Sequence, residues 1–203
     1  MFNPTNQQFG NNFQVTGTAF WLSEYRVLIT CAHVVQGLLL GDAVQTGLLM
    51  IGNMGDYSRA AIASLDLAHD LAVLKIIDKP DSFIDSEAKT GVSILERYPQ
   101  VGEAVAYAGF PLGSQLLNSA HAPTFSDGVV AVQLRESPLR KEIQVTGAVV
   151  GGYSGAPVVL REPDSSRLIG VLARGPSSSE TQGNIFMAIS WEHVKAIAEL
   201  ATS

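Results

Sequence analysis

Short apolar runs separated by polar turns dominate the chain. Thr16 to Leu22 (TGTAFWL) and Val27 to Thr30 predict two strands joined by the polar turn Ser23-Glu24-Tyr25-Arg26. Ala32 to Gln36 reads as one helical turn. Leu38 to Ile51 is apolar but broken by glycines, which predicts short strands and loops. Arg59 to Leu67 and Leu71 to Ile77 predict another strand pair, with Ala68-His69-Asp70 between them. Asp78 to Thr90 is polar and contains Pro80, so it reads as the connection between two groups of strands. Glu103 to Ala108, Leu116 to Thr124, Gly128 to Leu134, Glu142 to Thr146, Pro157 to Leu160, Leu168 to Ala173 and Ile185 to Ile189 form the second group. From Trp191 to Ala201 the period changes. Val194, Ile197, Ala198 and Ala201 recur at helical spacing, which predicts an amphipathic closing helix. About twelve short strands in two groups imply two antiparallel barrels or a sandwich.

Composition narrows this further. A chain of 203 residues, 46% hydrophobic and 16% charged, can build one domain with a sizeable core or two small barrels sharing an interface. The net charge is -6 and no Lys/Arg block occurs, so neither nucleic acid nor an anionic membrane is an expected partner. No apolar run reaches the roughly 18 residues of a spanning helix. Met1 to Asn12 is polar, so no signal peptide is expected, and residues 1–14 read as a loose arm. Cys31 is the single cysteine, which rules out an internal disulfide and fits a reducing, cytoplasmic location.

The candidate chemistry centres on Gly151-Gly152-Tyr153-Ser154-Gly155-Ala156-Pro157, a serine on a glycine-rich turn leading into an apolar strand. A serine hydroxyl becomes a nucleophile only if a base reaches it. His33 follows the apolar run Val27 to Thr30, and Asp70 precedes the apolar run Leu71 to Ile77. A hydroxyl, an imidazole that takes its proton and a carboxylate that fixes the imidazole tautomer make an acyl-transfer set. The chain order His33, Asp70, Ser154 is one of the known solutions to that geometry. The same serine turn invites comparison with an α/β-hydrolase elbow, with Asp164 and His193 following in order. That elbow enters a helix, whereas Pro157-Val158-Val159-Leu160 predicts a strand, and no βαβ alternation is visible.

Thr30-Cys31-Ala32-His33, His69-Asp70-Leu71-Ala72-Val73-Leu74 and Gly152-Tyr153-Ser154-Gly155-Ala156-Pro157 together resemble the signature segments of the chymotrypsin/trypsin-like serine peptidases. In style they are nearest to bacterial members without disulfides, such as the high-temperature-requirement proteases. Val101 to Gly113 is similar to the opening of the second barrel in that group. Ile143-Gln144 before the serine and Leu168 to Val171 after it fit as well. The resemblance implies an all-β fold of two six-stranded antiparallel barrels with a C-terminal helix. Residues 15–85 would form the first barrel, 86–98 the connection, 99–190 the second barrel and 191–203 the helix. It implies a serine endopeptidase acting on a protein or peptide through an acyl-enzyme, with no metal or cofactor. His33 would be the general base, Asp70 its orienter and Ser154 the nucleophile. The N–H groups of Gly152 and Ser154 would form the oxyanion hole. Ala148, Ala173, Arg174, Gly175 and Phe186 would line the specificity pocket. None of these is acidic, so an apolar or small side chain is expected in it, with Arg174 as an edge toward acidic residues upstream of the cut.

The chain also departs from the family pattern. Tyr153 stands where trypsin-type enzymes carry an aspartate that pairs with a freed N-terminus, so activation by N-terminal cleavage is not expected. Val34 replaces the cysteine that commonly follows the histidine, and Ala156 replaces a glycine. Cys31 reads as a small buried residue. The alternative reading is a protease-fold binding or regulatory module whose site is inactive until a partner binds. The same fold would serve as one module of a longer protein.

Overall fold

The computed structural model describes residues 17–36, 46–51, 56–111, 123–136, 141–149, 151–162, 165–174 and 184–203. The arm at residues 1–14, most of the expected strand Leu116 to Thr124, and Asp164 and Gly175 lie outside them.

The first half is an antiparallel sheet of five strands among the described residues. These are β1 (Phe20–Leu22), β2 (Val27–Cys31), β3 (Thr46–Ile51), β4 (Asp56–Asp66) and β5 (Leu71–Ile76), in the order β1-β2-β5-β4-β3. The predicted turn after β1 is a 3-10 turn, Ser23–Tyr25, closed by Arg26 in the left-handed region at φ 55°. The apolar runs Val27 to Ile29 of β2 and Leu71 to Leu74 of β5 have a simple cause: both faces of these central strands are covered there. Val27, Ile29 and Cys31 of β2 face the same cluster as Leu71 and Val73 of β5. Leu28, Ala72, Leu74 and Ile76 face the opposite one, with Val35 of the helical turn α1 (Ala32–Val35).

The second half closes on itself. Strands β7 (Ala104–Gly109), β8 (Thr124–Glu136), β9 (Lys141–Thr146), β12 (Ile185–Ser190), β11 (Ser165–Arg174) and β10 (Pro157–Glu162) pair in that circular order, because β10 pairs with both β11 and β7. This is a closed six-stranded barrel, which leaves no free edge. Val105, Tyr107, Val130, Ile143, Val145, Leu160 and Phe186 fill its interior.

The connection is more ordered than its polar composition predicts. Asp81–Lys89 forms helix α2, with Pro80 as its N-cap and Phe83 packed against the first sheet. Pro just before a helix start suits the fixed φ of the ring and its missing N–H. Ser93–Ile94 then forms β6, which runs parallel to β11, and Val92 bridges to Leu22.

The two halves share one core. Phe20, Leu22, Ile29, Cys31 and Leu71 from the first half meet Leu168, Val171, Ala173 and Ile189 from the second. The closing helix α3 (Trp191–Thr202) seals that seam with Val194, Ile197 and Ala198. Each fully buried aliphatic side chain of this kind contributes about 1.5–3 kcal/mol relative to exposure. The seam therefore fixes β2, which leads into the helical turn carrying His33, against β11, which holds the serine turn through Leu172.

Candidate active site

His33 is positioned by the change from strand to helix. β2 ends at Cys31, and the chain turns at once into α1, which leaves the His33 ring facing solvent at 39% side-chain exposure. Asp70 closes the turn between β4 and β5. It is a non-glycine residue in the left-handed region, at φ 59°. Aspartate tolerates that conformation better than most residues, and it recurs at functional sites at a cost of order 1–3 kcal/mol. The Asp70 carbonyl accepts the Ala32 N–H at 3.0 Å, which ties the turn to the start of α1. Its carboxylate then meets His33 twice. Oδ1 accepts the backbone N–H at 2.9 Å, and Oδ2 lies 2.8 Å from ring Nδ1.

Oδ2 only accepts, so Nδ1 donates in this contact and Nε2 points away from the carboxylate.

The serine turn is built from positive-φ glycines. Gly152 has φ 103° and Gly155 has φ 87°. A Cβ on Gly152 would fall on the Phe110 carbonyl, and one on Gly155 on the Thr18 carbonyl and the Thr30 hydroxyl. Glycine is required at both positions for conformation and for space. Gly155 N–H donates to the Leu172 carbonyl at 2.8 Å and Ala156 N–H to the Tyr153 carbonyl at 2.8 Å. The turn also lies against the strand that leads to His33. Gly155 abuts Cys31 N, while Gly17 is closely flanked by both Val34 and the Ser154 carbonyl. The structure thus joins His33 to Asp70 directly and seats the turn carrying Ser154 on the same strand end.

Tyr153 turns inward rather than toward an N-terminus. Its ring is buried edge-on against Tyr107, with centroids 5.5 Å apart, and its hydroxyl pairs with Ser126 Oγ at 2.9 Å. Tyr107 in turn donates to the Ala148 carbonyl at 3.1 Å. Burial, reinforced by the nearby Tyr153, raises the Tyr107 pKa, so it remains a donor. The residue before Ser154 is therefore held by the barrel interior.

Of the expected pocket residues, Ala148 is exposed at the end of β9, Ala173 is buried in the shared core and Phe186 in the barrel core. Arg174 ends β11, opposite Met187 of β12. Cys31 is fully buried, and its thiol donates to the Leu172 carbonyl at 3.4 Å. Donor atoms of Cys31, His33 and Asp70 lie within 4.8 Å of one another. This group does not fit a resident metal. Both Asp70 oxygens are engaged by His33, and 2.8 Å from Nδ1 to Oδ2 is tighter than the roughly 3.3 Å that two ligands keep around a tetrahedral zinc with 2.0 Å bonds.

Sequence reasoning missed the bracing of the Asp70 turn. Asp66 accepts the His69 N–H at 3.0 Å and lies 2.6 Å from its Nδ1. The His69 ring stacks on His193 of α3, with centroids 3.9 Å apart, and His193 Nε2 accepts the Lys141 N–H at 3.0 Å. Burial chiefly, and then the neighbouring His69, hold the His193 pKa below the ordinary imidazole range. Burial alone would raise the Asp66 carboxyl, but hydrogen bonds from the His69 ring and backbone outweigh it and lower the pKa. Four residues spread between 66 and 193 in the chain carry no local pattern that announces this stack.

Comparison with known proteins agrees with this geometry. Residues 17–171 match the trypsin-like peptidase domain. No curated protein matches the chain by sequence. Among solved structures, the HtrA-type protease AlgW with a decapeptide is similar, with a TM-score of 0.68 at 22% identity. The alignment covers 92% of this chain and 51% of that one, so the present chain spans about half its length. With the family's domain matched across both strand groups, and a closed barrel, a second sheet and a C-terminal helix around the seam, the chain belongs to the trypsin-like peptidase family.

Proposed function

We propose that the protein cleaves peptide bonds through His33, Asp70 and Ser154. The observation that carries this reading is the double contact of Asp70 with His33, which engages Nδ1 and directs Nε2 away from the carboxylate. Ser154 Oγ attacks the scissile carbonyl carbon as His33 Nε2 takes its proton. The oxyanion of the tetrahedral intermediate is met by the N–H groups of Gly152 and Ser154. Collapse breaks the C–N bond, and the imidazolium returns the proton to the departing amine. Water then attacks the acyl-enzyme with His33 again as base, which releases the acid and restores the serine. Asp70 stabilises the imidazolium formed in both steps without becoming protonated.

The substrate is a protein or peptide. The similar HtrA-type structure holds a decapeptide, and an extended chain could pair with the end of β11 near Arg174, past its last rung with β10 at Val171. None of the assigned pocket residues Ala148, Ala173 and Phe186 is acidic, so we expect a small or apolar side chain to be favoured over lysine or arginine. The single buried thiol suits a reducing, cytoplasmic compartment.

Hydrolysis of fluorescein-labelled β-casein, abolished by Ser154→Ala and by His33→Ala in folded protein, is the expected result. Casein cleavage unchanged in Ser154→Ala would overturn the assignment.

A further inference from the structure

The serine turn is hydrogen-bonded to the first half of the molecule by Thr18, a residue that its sequence context does not mark. Thr18 precedes β1 and is 4% exposed. Its N–H donates to the Ser154 carbonyl at 2.8 Å, and its hydroxyl donates to the Gly152 carbonyl at 2.8 Å. The hydroxyl also accepts the Phe110 N–H at 3.2 Å, and the Thr18 carbonyl accepts the Thr30 hydroxyl at 2.6 Å.

The direction of this chain of bonds is forced. The Phe110 N–H can only donate, so it occupies a lone pair of the Thr18 oxygen. The one hydroxyl proton is then committed to Gly152, whose carbonyl can only accept. Thr18 therefore grips the carbonyls of both residues whose N–H groups are assigned to the oxyanion hole. Gly152 needs such a grip more than another residue would, because glycine alone restricts its own φ and ψ so weakly. On its other face Gly152 packs so closely on Phe110 that no Cβ fits.

We propose that Thr18 is a positioning residue of the active site. Its hydroxyl holds the peptide plane after Gly152, and so keeps the oxyanion donors aimed by anchoring the turn to the first half. This rests on the reading of Ser154 as nucleophile and Gly152 as oxyanion donor. A hydroxyl that only filled space would be replaceable by a methyl group. One that holds the turn is replaceable only by another hydroxyl.

The test is the reaction with an alkyl fluorophosphonate, whose phosphonyl oxygen needs the same donors as a substrate carbonyl. Thr18→Val keeps the shape and removes the hydroxyl, while Thr18→Ser keeps the hydroxyl. The maximal inactivation rate should fall on the order of 10²-fold in Thr18→Val, the cost of a small misplacement at a reacting centre. The concentration giving half-maximal inactivation should change less than about threefold, and Thr18→Ser should restore the rate to within about threefold. Rates are taken per folded molecule, measured by circular dichroism. If Thr18→Val does not fold, Thr18→Ala is compared with Thr18→Ser in the same way. Wild-type protein that reacts at Ser154, with hydroxyl-free variants that react equally fast, would overturn the role of Thr18. Wild-type protein that does not react at Ser154 would instead overturn the reading of the nucleophile on which it rests.

Discussion

Asp70→Asn isolates the tautomer argument from the fold. Asp70 presents one oxygen to the His33 backbone N–H at 2.9 Å and the other to ring Nδ1 at 2.8 Å. Asparagine offers one acceptor and one donor group. The backbone N–H can only donate, so it claims the amide oxygen, and the amide NH2 then faces Nδ1. Nδ1 must now accept, which moves the ring proton to Nε2 and removes the base from the serine. Both hydrogen bonds survive, and asparagine tolerates the left-handed backbone at position 70 as aspartate does. Stability should therefore change by less than about 1 kcal/mol, while the rate falls by about 10⁴, or about 5.4 kcal/mol of barrier at 1.36 kcal/mol per decade. The assay is casein hydrolysis and the fluorophosphonate inactivation rate, alongside a thermal melt. An Asp70→Asn variant within tenfold of wild-type rate would refute the reasoning. So would a loss of rate matched by a collapse of the melting temperature, because the effect would then be structural.

Three further outcomes are expected. His193 is held below its ordinary pKa, so the unfolded chain binds the proton more tightly, and stability falls as pH drops below about 6.5. Asp66, also lowered, adds a loss below about 3.8; chemical denaturation at pH 7.5, 6.5 and 5.5 should show the first decline and His193→Gln should flatten it, whereas a flat wild-type profile would contradict the lowered His193 pKa. Gly155→Ala combines a left-handed backbone with a Cβ aimed at the Thr18 carbonyl, and urea denaturation should show a loss of about 2–5 kcal/mol. A peptide-library cleavage profile should show small or apolar side chains at the cut, and a dominant basic preference would refute the pocket assignment.

How much was legible in the sequence differed from one residue to another for physical reasons. β2 and β5 announced themselves because Val27 to Ile29 and Leu71 to Leu74 are covered on both faces, which forces near-continuous apolar runs. α3 announced itself because only one face is buried, which leaves a helical period in the sequence. The pairing of His33 with Asp70 was readable because each sits at the end of such a run. Helix α2 was obscured by its polar composition, since only Phe83 and Ala88 are drawn toward the sheet side. Thr18 was absorbed into the strand expected over Thr16 to Leu22. The strand begins only at Phe20 because the Thr18 backbone is spent on the Ser154 carbonyl. Tyr153 showed what the site lacks, an acidic partner for an N-terminus, but not its bond to Ser126 across the barrel. The His69–His193 stack joins residues from opposite ends of the fold, and no local period encodes such a contact.

The central claim is that Ser154 is the residue made nucleophilic by His33. Its most direct test is to treat the folded protein with a fluorophosphonate and map the adduct by peptide mass spectrometry. The account predicts a single adduct on Ser154, absent in Ser154→Ala and slowed by about 10⁴ in Asp70→Asn. An adduct on another serine, or no adduct on folded wild-type protein, would contradict it.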